Sequence, residues 1–292
     1  MDNLELMSKI SNIKLVAFDM DGTLLPDNKE ITDYTLRTLK RMDELGFKIC
    51  ICSGRSFNGV YKYKEIRHLI DYYVCFEGSY IVDNNDKNNP KLLQQISIPN
   101  ELITKVIDTV SKNNIMAALL CEKYGYCSNC VDYIKHSVSI WGAEPCEKSY
   151  NGLLDVIKHE KAYIILTYGT KEQMDHLNSV ISHHVPVDID VIRAYLDFDK
   201  FKDIHHTIVK APAINKWNGI ESVLKLTGLK QENVMAFGDW LNDIEMIRNA
   251  GMGIAMKNAE NEVITVSKSV TDYDNNQDGA AKFLNKIFNL FN

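Results

Sequence analysis

The feature that most limits how this chain can fold is the run Ile13-Lys14-Leu15-Val16-Ala17-Phe18, which stops abruptly at Asp19-Met20-Asp21-Gly22-Thr23. Five of its six residues are apolar, which suits a central parallel strand covered on both faces better than a one-faced antiparallel strand. Open parallel sheets bind ligands in the crevice beyond the carboxyl ends of their strands, so Asp19 and Asp21 are expected where chemistry is done. Gly22 lets the chain turn sharply there. Two carboxylates this close repel each other, and a hard cation offsets the repulsion. An all-oxygen ligand group favours Mg²⁺, which takes one or two carboxylates and leaves its other positions to water and substrate phosphate. With one oxygen of Asp19 on the metal, the other is free to attack phosphorus, and Asp21 is placed to protonate the leaving group.

The segment from Ile13 to Leu25 resembles motif I of the haloacid dehalogenase-like (HAD) superfamily of phosphohydrolases, and three further segments follow in the order that this resemblance requires. The apolar run at residues 47–52 ends in Ser53-Gly54-Arg55; in the family pattern this is motif II, with Ser53 bonding the transferring phosphoryl group. Lys216 falls at the start of a helix expected over residues 217–227, where the macrodipole disfavours a cation. The resemblance supplies a reason for it: motif III is a lysine that neutralises the phosphate and the nucleophile. The strand at residues 233–237 ends in Gly238-Asp239-Trp240-Leu241-Asn242-Asp243, which resembles motif IV. The resemblance then implies Asp19, Asp21 (through its backbone carbonyl), Asp239 and Asp243 as the Mg²⁺ site. It implies Asp19, Asp21, Ser53 and Lys216 as catalytic residues, and Thr23, Gly22, Gly54, Arg55, Asn242 and Asn258 as contacts to the substrate. Two positions depart from the Cof-like branch: Glu77-Gly78-Ser79 stands where relatives carry Asn-Gly-Ala, and Lys257 where they carry glycine.

Helices are expected over residues 32–45, with Thr32 as N-cap and Gly46 as terminator, and from Ser56 to about residue 70. Strands are expected over 72–76 and 251–256, with an amphipathic helix at the C-terminus. Residues 83–90 are dense in turn formers and read as a hairpin leading out of the first domain. From about residue 92 to 206 the pattern becomes α+β: helices near 101–113, 132–141 and 171–183, and strands near 116–121, 162–168 and 187–194. None of these strands ends in an acid cluster. The expectation is therefore an α/β fold, a Rossmann-like doubly wound parallel sheet formed by residues 1–84 and 207–292, with residues 85–206 inserted as an α+β substrate-specificity cap. A unit of this size, inserted between motifs II and III, resembles a class IIB cap.

Composition narrows the function. A net charge of −6 argues against nucleic-acid or anionic-membrane surfaces as partners. There is no apolar h-region at the start and no run long enough to span a bilayer, so a cytoplasmic protein is expected. Seven cysteines, several in apolar runs, read as free thiols rather than a disulfide framework. Cys121, Cys127, Cys130 and Cys146 lack the second close pair that a structural zinc site brings. The pairs His183-His184 and His205-His206 read as solvated loop residues. With these exclusions, the resemblance implies a Mg²⁺-dependent phosphatase acting on small phosphomonoesters such as sugar phosphates. The alternatives are a phosphosugar mutase of the phosphomannomutase type, which shares core and cap class, and a catalytically silent sugar-phosphate-binding regulator. Neither the natural substrate nor an oligomeric state follows from the sequence.

Overall fold

A computed structural model of the protein describes residues 10–181 and 204–291. The chain forms two compact units, Met1–Gly54 with Tyr61–Gln94 and Asn215–Asn292, and Arg55–Val60 with Gln95–Ile214.

In the first unit, β1 (Leu15–Phe18) is buried at every position and pairs in parallel with β2 (Lys48–Cys52) on one side and β11 (Val234–Gly238) on the other. The sheet continues through β3 (Tyr72–Cys75), β4 (Tyr80–Asp83) and β5 (Lys91–Gln95) in one direction, and through β12 (Met252–Ala255) and β13 (Ser269–Val270) in the other. All pairings from β13 to β3 are parallel, and β4 turns back antiparallel to β3. Alternate strand residues face opposite sides. Leu15, Ala17, Cys50, Cys52 and Val74 pack with Trp217, Ile220, Met246 and Val263 from three helices. On the other side Phe18 stacks on Phe237 at 5.3 Å, and Phe237 meets Phe283 of the C-terminal helix edge-on at 5.7 Å. Cover on both faces is why the central strands read as continuous apolar runs. The helix Asp33–Glu44 begins as its sequence predicts: the Thr32 side chain accepts the Thr35 N–H at 3.0 Å, and Gly46, at φ +83°, lies just past its end.

The second unit carries a five-stranded sheet in the order β10 (His205–Lys210), β9 (Ile164–Gly169), β6 (Met116–Leu120), β7 (Tyr124–Cys127), β8 (Glu144–Glu147). It is antiparallel except between β7 and β8. The helices Asn100–Lys112, Tyr150–Val156 and Lys171–Ile181 cover it, burying Ile103, Val106, Leu153, Leu177 and Ile181 with Leu119 and Ile165 of the strands.

Several expectations shift. The hairpin after Asp83 does not leave the first unit, because β5 joins the edge of its sheet, so the units divide between Gln94 and Gln95 rather than at residue 85. The core resumes at Asn215 rather than residue 207, because β10 pairs antiparallel with β9. The helix expected from Ser56 to about residue 70 is only Phe57–Tyr61. Beyond it Tyr63, Ile66 and Leu69 are buried in a run of turns instead. The strand expected over 187–194, the end of the helix over 171–183, and His183-His184 lie outside the described residues. His205 and His206 are on β10, not in a loop, and His206 is buried beside Tyr168; burial pushes its imidazole down to about 4. The seven cysteines are free thiols. Among the described residues Cys121, Cys127, Cys130 and Cys146 do not converge with other ligand types into a metal-sized group. No helix among them is long and apolar enough to cross a membrane.

Candidate active site

The carboxyl ends of β1, β2, β3 and β11 deliver Asp19, Ser53, Glu77 and Asp239 in turn, each within two residues of its strand. Between them stands Lys216, the first residue of the helix Lys216–Thr227, whose N-cap Asn215 accepts the Asn218 N–H at 2.9 Å. Lys216 is 1% exposed, and its ammonium donates to Asp19 Oδ1 at 2.6 Å and to Asp243 Oδ1 at 2.7 Å. The other oxygen of Asp243 accepts the backbone N–H of Asp239 (2.9 Å) and of Trp240 (3.1 Å), which fixes the loop after β11. Thr23 Oγ1 donates to Asp239 Oδ1 at 2.6 Å. Gly22, at φ +80°, closes the set: a Cβ there would lie 2.3 Å from Asp239 Oδ2, so only glycine allows this approach.

Burying these charges shifts them. Burial lifts the Asp19 carboxyl well above the usual carboxylate range; Lys216 pulls it back, and Asp243, Asp239 and Asp21 push it up again. Burial and then Asp243 push Asp239 up to about 7, against the Thr23 hydroxyl and Lys216. Burial alone would discharge Lys216, but Asp19, Asp243 and Glu77 together hold it well above an ordinary lysine. Like charges brought together in a dry place favour any counter-charge that enters. Asp19, Asp239 and Asp243 each offer one oxygen, and these atoms lie within 4.8 Å of one another. An oxygen-only donor set with excess negative charge fits a hard divalent cation.

The remaining expected residues have other partners. Asp21 turns its carboxylate to Lys29 Nζ at 2.9 Å, so its side chain is outside that oxygen cluster. Ser53 is buried at the end of β2, its N–H on Val74 O and its carbonyl accepting the Glu77 N–H. Gly54 closes the first unit's segment, whereas Arg55, also buried, begins a segment of the second. Asn242 donates from Nδ2 to Glu77 Oε1 at 2.8 Å. Asn258 spans two loops, donating to Gly22 O at 2.8 Å and accepting the Asn275 N–H at 3.2 Å, so its amide positions the glycine turn. Lys257 is exposed, and its N–H is held by Thr271 Oγ1. Sequence reasoning missed Glu77 as the partner of Asn242 and Lys29 as the partner of Asp21. For Glu77 there was a signal, since it too follows a core strand directly; for Lys29, in a turn, there was none.

A family model for haloacid dehalogenase-like hydrolases matches residues 16–284. The chain is 26% identical over 288 residues to the 5-amino-6-(5-phospho-D-ribitylamino)uracil phosphatase YitU of Bacillus subtilis, covering 94% of this chain and 98% of that protein. It is 23% identical over 279 residues to the pyridoxal phosphate phosphatase YbhA of Escherichia coli, covering 93% and 97%. Among solved structures its fold is similar to that of a HAD subclass IIB sugar phosphatase, with a TM-score of 0.77, 23% identity, and coverage of 95% and 100%. A buried lysine bonded to Asp19 and Asp243 at the ends of parallel strands, and a match over nearly the whole chain, thus agree: the chain belongs to the haloacid dehalogenase-like hydrolases, within their Cof-like phosphatase branch.

Proposed function

We propose that this enzyme hydrolyses small phosphomonoesters with Asp19 as the nucleophile and Mg²⁺ as its metal. The observation that carries the reading is the Lys216 ammonium bonded at once to Asp19 and Asp243, with Asp239 in the same oxygen cluster. Asp19, Asp239 and Asp243 are the residues that would hold Mg²⁺, which when bound supplies positive charge to the phosphoryl oxygens. Lys216 orients Asp19 and adds a second positive charge where the equatorial oxygens develop theirs, and Ser53 donates to one of them; charge stabilisation of this kind is most of the work in phosphoryl transfer. Asp19 attacks phosphorus, forming an aspartyl-phosphate as the ester bond breaks. Asp21 gives a proton to the leaving alkoxide, then takes one from the water that cleaves the acyl phosphate, restoring both carboxyl groups.

The second compact unit serves in this reading as the substrate-specificity cap. Support comes from its place in the chain between Ser53 and Lys216 and from the shared fold with a subclass IIB phosphatase. YitU and YbhA are named for small phosphorylated metabolites, and a compound of that class is the expected substrate. Six of seven thiols are buried and none is paired, in keeping with a cytoplasmic enzyme. Phosphate release from a panel of phosphorylated metabolites tests the reading. Activity is expected with Mg²⁺, is expected to stop on chelation, and is expected to fall at least about 10⁴-fold in Asp19→Asn, as for other covalent nucleophiles. Turnover retained in Asp19→Asn would overturn it.

A further inference from the structure

We infer that Glu77 and Asn242 form an acceptor pair that reads a hydrogen-bond donor, a hydroxyl or amino group, on the leaving group of the substrate. This rests on the phosphomonoesterase reading above and deepens it. Glu77 is 4% exposed. Its N–H donates to Ser53 O at 3.2 Å, and its Oε1 accepts from Asn242 Nδ2 at 2.8 Å. The two atoms left over in this joined pair, Glu77 Oε2 and Asn242 Oδ1, are both acceptors, both buried and both without a donor. A buried acceptor left unmade is costly, so such atoms point to a group that supplies the missing hydrogens. Further buried side-chain N or O atoms without a hydrogen-bond partner lie on Ser79, Asn218 and Trp240. These residues lie just past β3, in the first turn of the helix that begins with Lys216, and just past β11.

The backbone is strained to present Glu77. Phe76, Glu77 and Gly78 have φ of 46°, 60° and 106°, three left-handed residues in a row, two of them not glycine. Strain of this kind persists only where the surroundings enforce it, and it gathers at ligand sites. Gly78 packs so closely that a Cβ would lie 2.2 Å from Asn215 O. Glu77 is thereby held near Lys216, whose ammonium feels its charge and bonds the nucleophile Asp19. A polyol or amino group close to the phosphorylated carbon of a substrate meets two waiting acceptors there. A second anionic group at that position meets a carboxylate and is repelled.

The test compares kcat/KM for ribitol 5-phosphate, rich in donors, with that for pentyl phosphate, which has none beyond the phosphoryl group, in the wild type and in Glu77→Gly and Glu77→Gln. Glycine accepts the left-handed backbone, so Glu77→Gly removes the carboxylate without adding strain, and its thermal melt checks that it folds. Expected is a preference for ribitol 5-phosphate that falls at least fivefold in Glu77→Gly, mainly through KM, and is partly restored in Glu77→Gln, which keeps one acceptor. A ratio that changes less than fivefold in Glu77→Gly, even if both substrates slow together, overturns the inference and leaves bound water as the donor. Wild-type enzyme that releases phosphate from neither ester, nor from any other, instead contradicts the phosphatase reading.

Discussion

The two units of this molecule bury polar groups in opposite ways. In the second, the buried groups are mostly neutral and satisfy one another: Thr207 Oγ1 donates to Asn178 Oδ1 at 3.1 Å, Thr167 Oγ1 to Thr207 O at 3.2 Å, and the Tyr168 hydroxyl to Ser137 Oγ at 2.7 Å. Such pairs cost little and specify the packing. In the first, three carboxylates are buried within reach of one another and share a single lysine that touches two of them. No fold needs such a cluster for stability, since a buried ion pair rarely outdoes an apolar pair of the same volume. The difference separates a unit built to be stable from one that tolerates a strained charge balance at its parallel strand ends, where an incoming cation and phosphate would relieve it.

The largest effect that sharpens this contrast is expected from Lys216→Ala. It leaves Asp19 and Asp243 buried without their counter-charge, and the metal-free protein should lose about 3–5 kcal/mol in denaturant unfolding as well as its phosphatase activity. A loss under about 1 kcal/mol would mean that the cluster is far better solvated than its burial implies. Next comes pH. The folded-state value of Asp239, about 7, stands above the ordinary 3.8, so the folded protein binds that proton more tightly than the unfolded chain. The stability this contributes is complete below about 4 and is lost as pH rises through 7; Asp19, also raised, acts in the same sense. In the second unit His206 runs the other way: its value is lowered from 6.5 to about 4, so stability present above 6.5 is lost as pH falls toward 4. Melts in EDTA should therefore show Tm falling from pH 6 to 8, with Mg²⁺ restoring more at pH 8 than at pH 6. In His206→Gln the loss on the acid side should shrink while the alkaline loss stays. The smallest effect is expected from Thr207→Val, which strands the Asn178 oxygen and should cost about 1–2 kcal/mol, with no change in the alkaline slope.

How much of this was legible in the sequence follows from the same contrast. Asp19 to Thr23 and Gly238 to Asp243 are contiguous runs after apolar strands, so strand, turn and chemistry could be read together; Lys216 stood out because a helix start disfavours a cation. The α/β core with an inserted α+β unit was legible too, as the patterns of hydrophobic alternation differ between the two stretches. Pairing was not. That β5 joins the first sheet and β10 the second depends on contacts between distant segments, with His205 opposite Gly169 and Lys210 opposite Ile164, and periodicity carries no register. β7 and β8 are four residues each and half of β8 is charged, too little for a pattern to show. The link from Asn242 to Glu77 spans 165 residues, and the pairing of Asp21 with Lys29 depends on a left-handed residue within a turn, φ 62° at Lys29. Chemistry written in neighbouring residues is readable; chemistry assembled by folding is not.

Whether Asp19 itself takes up phosphorus decides what the buried cluster is for. The most direct measurement is rapid acid quenching of the enzyme during turnover of a good substrate with Mg²⁺, followed by peptide mass analysis. Expected is one phosphoryl group on the peptide that carries Asp19, absent in Asp19→Asn and absent once substrate is exhausted. Steady turnover with no phosphorylated peptide at any quench time, or with the group on a different residue, would contradict it.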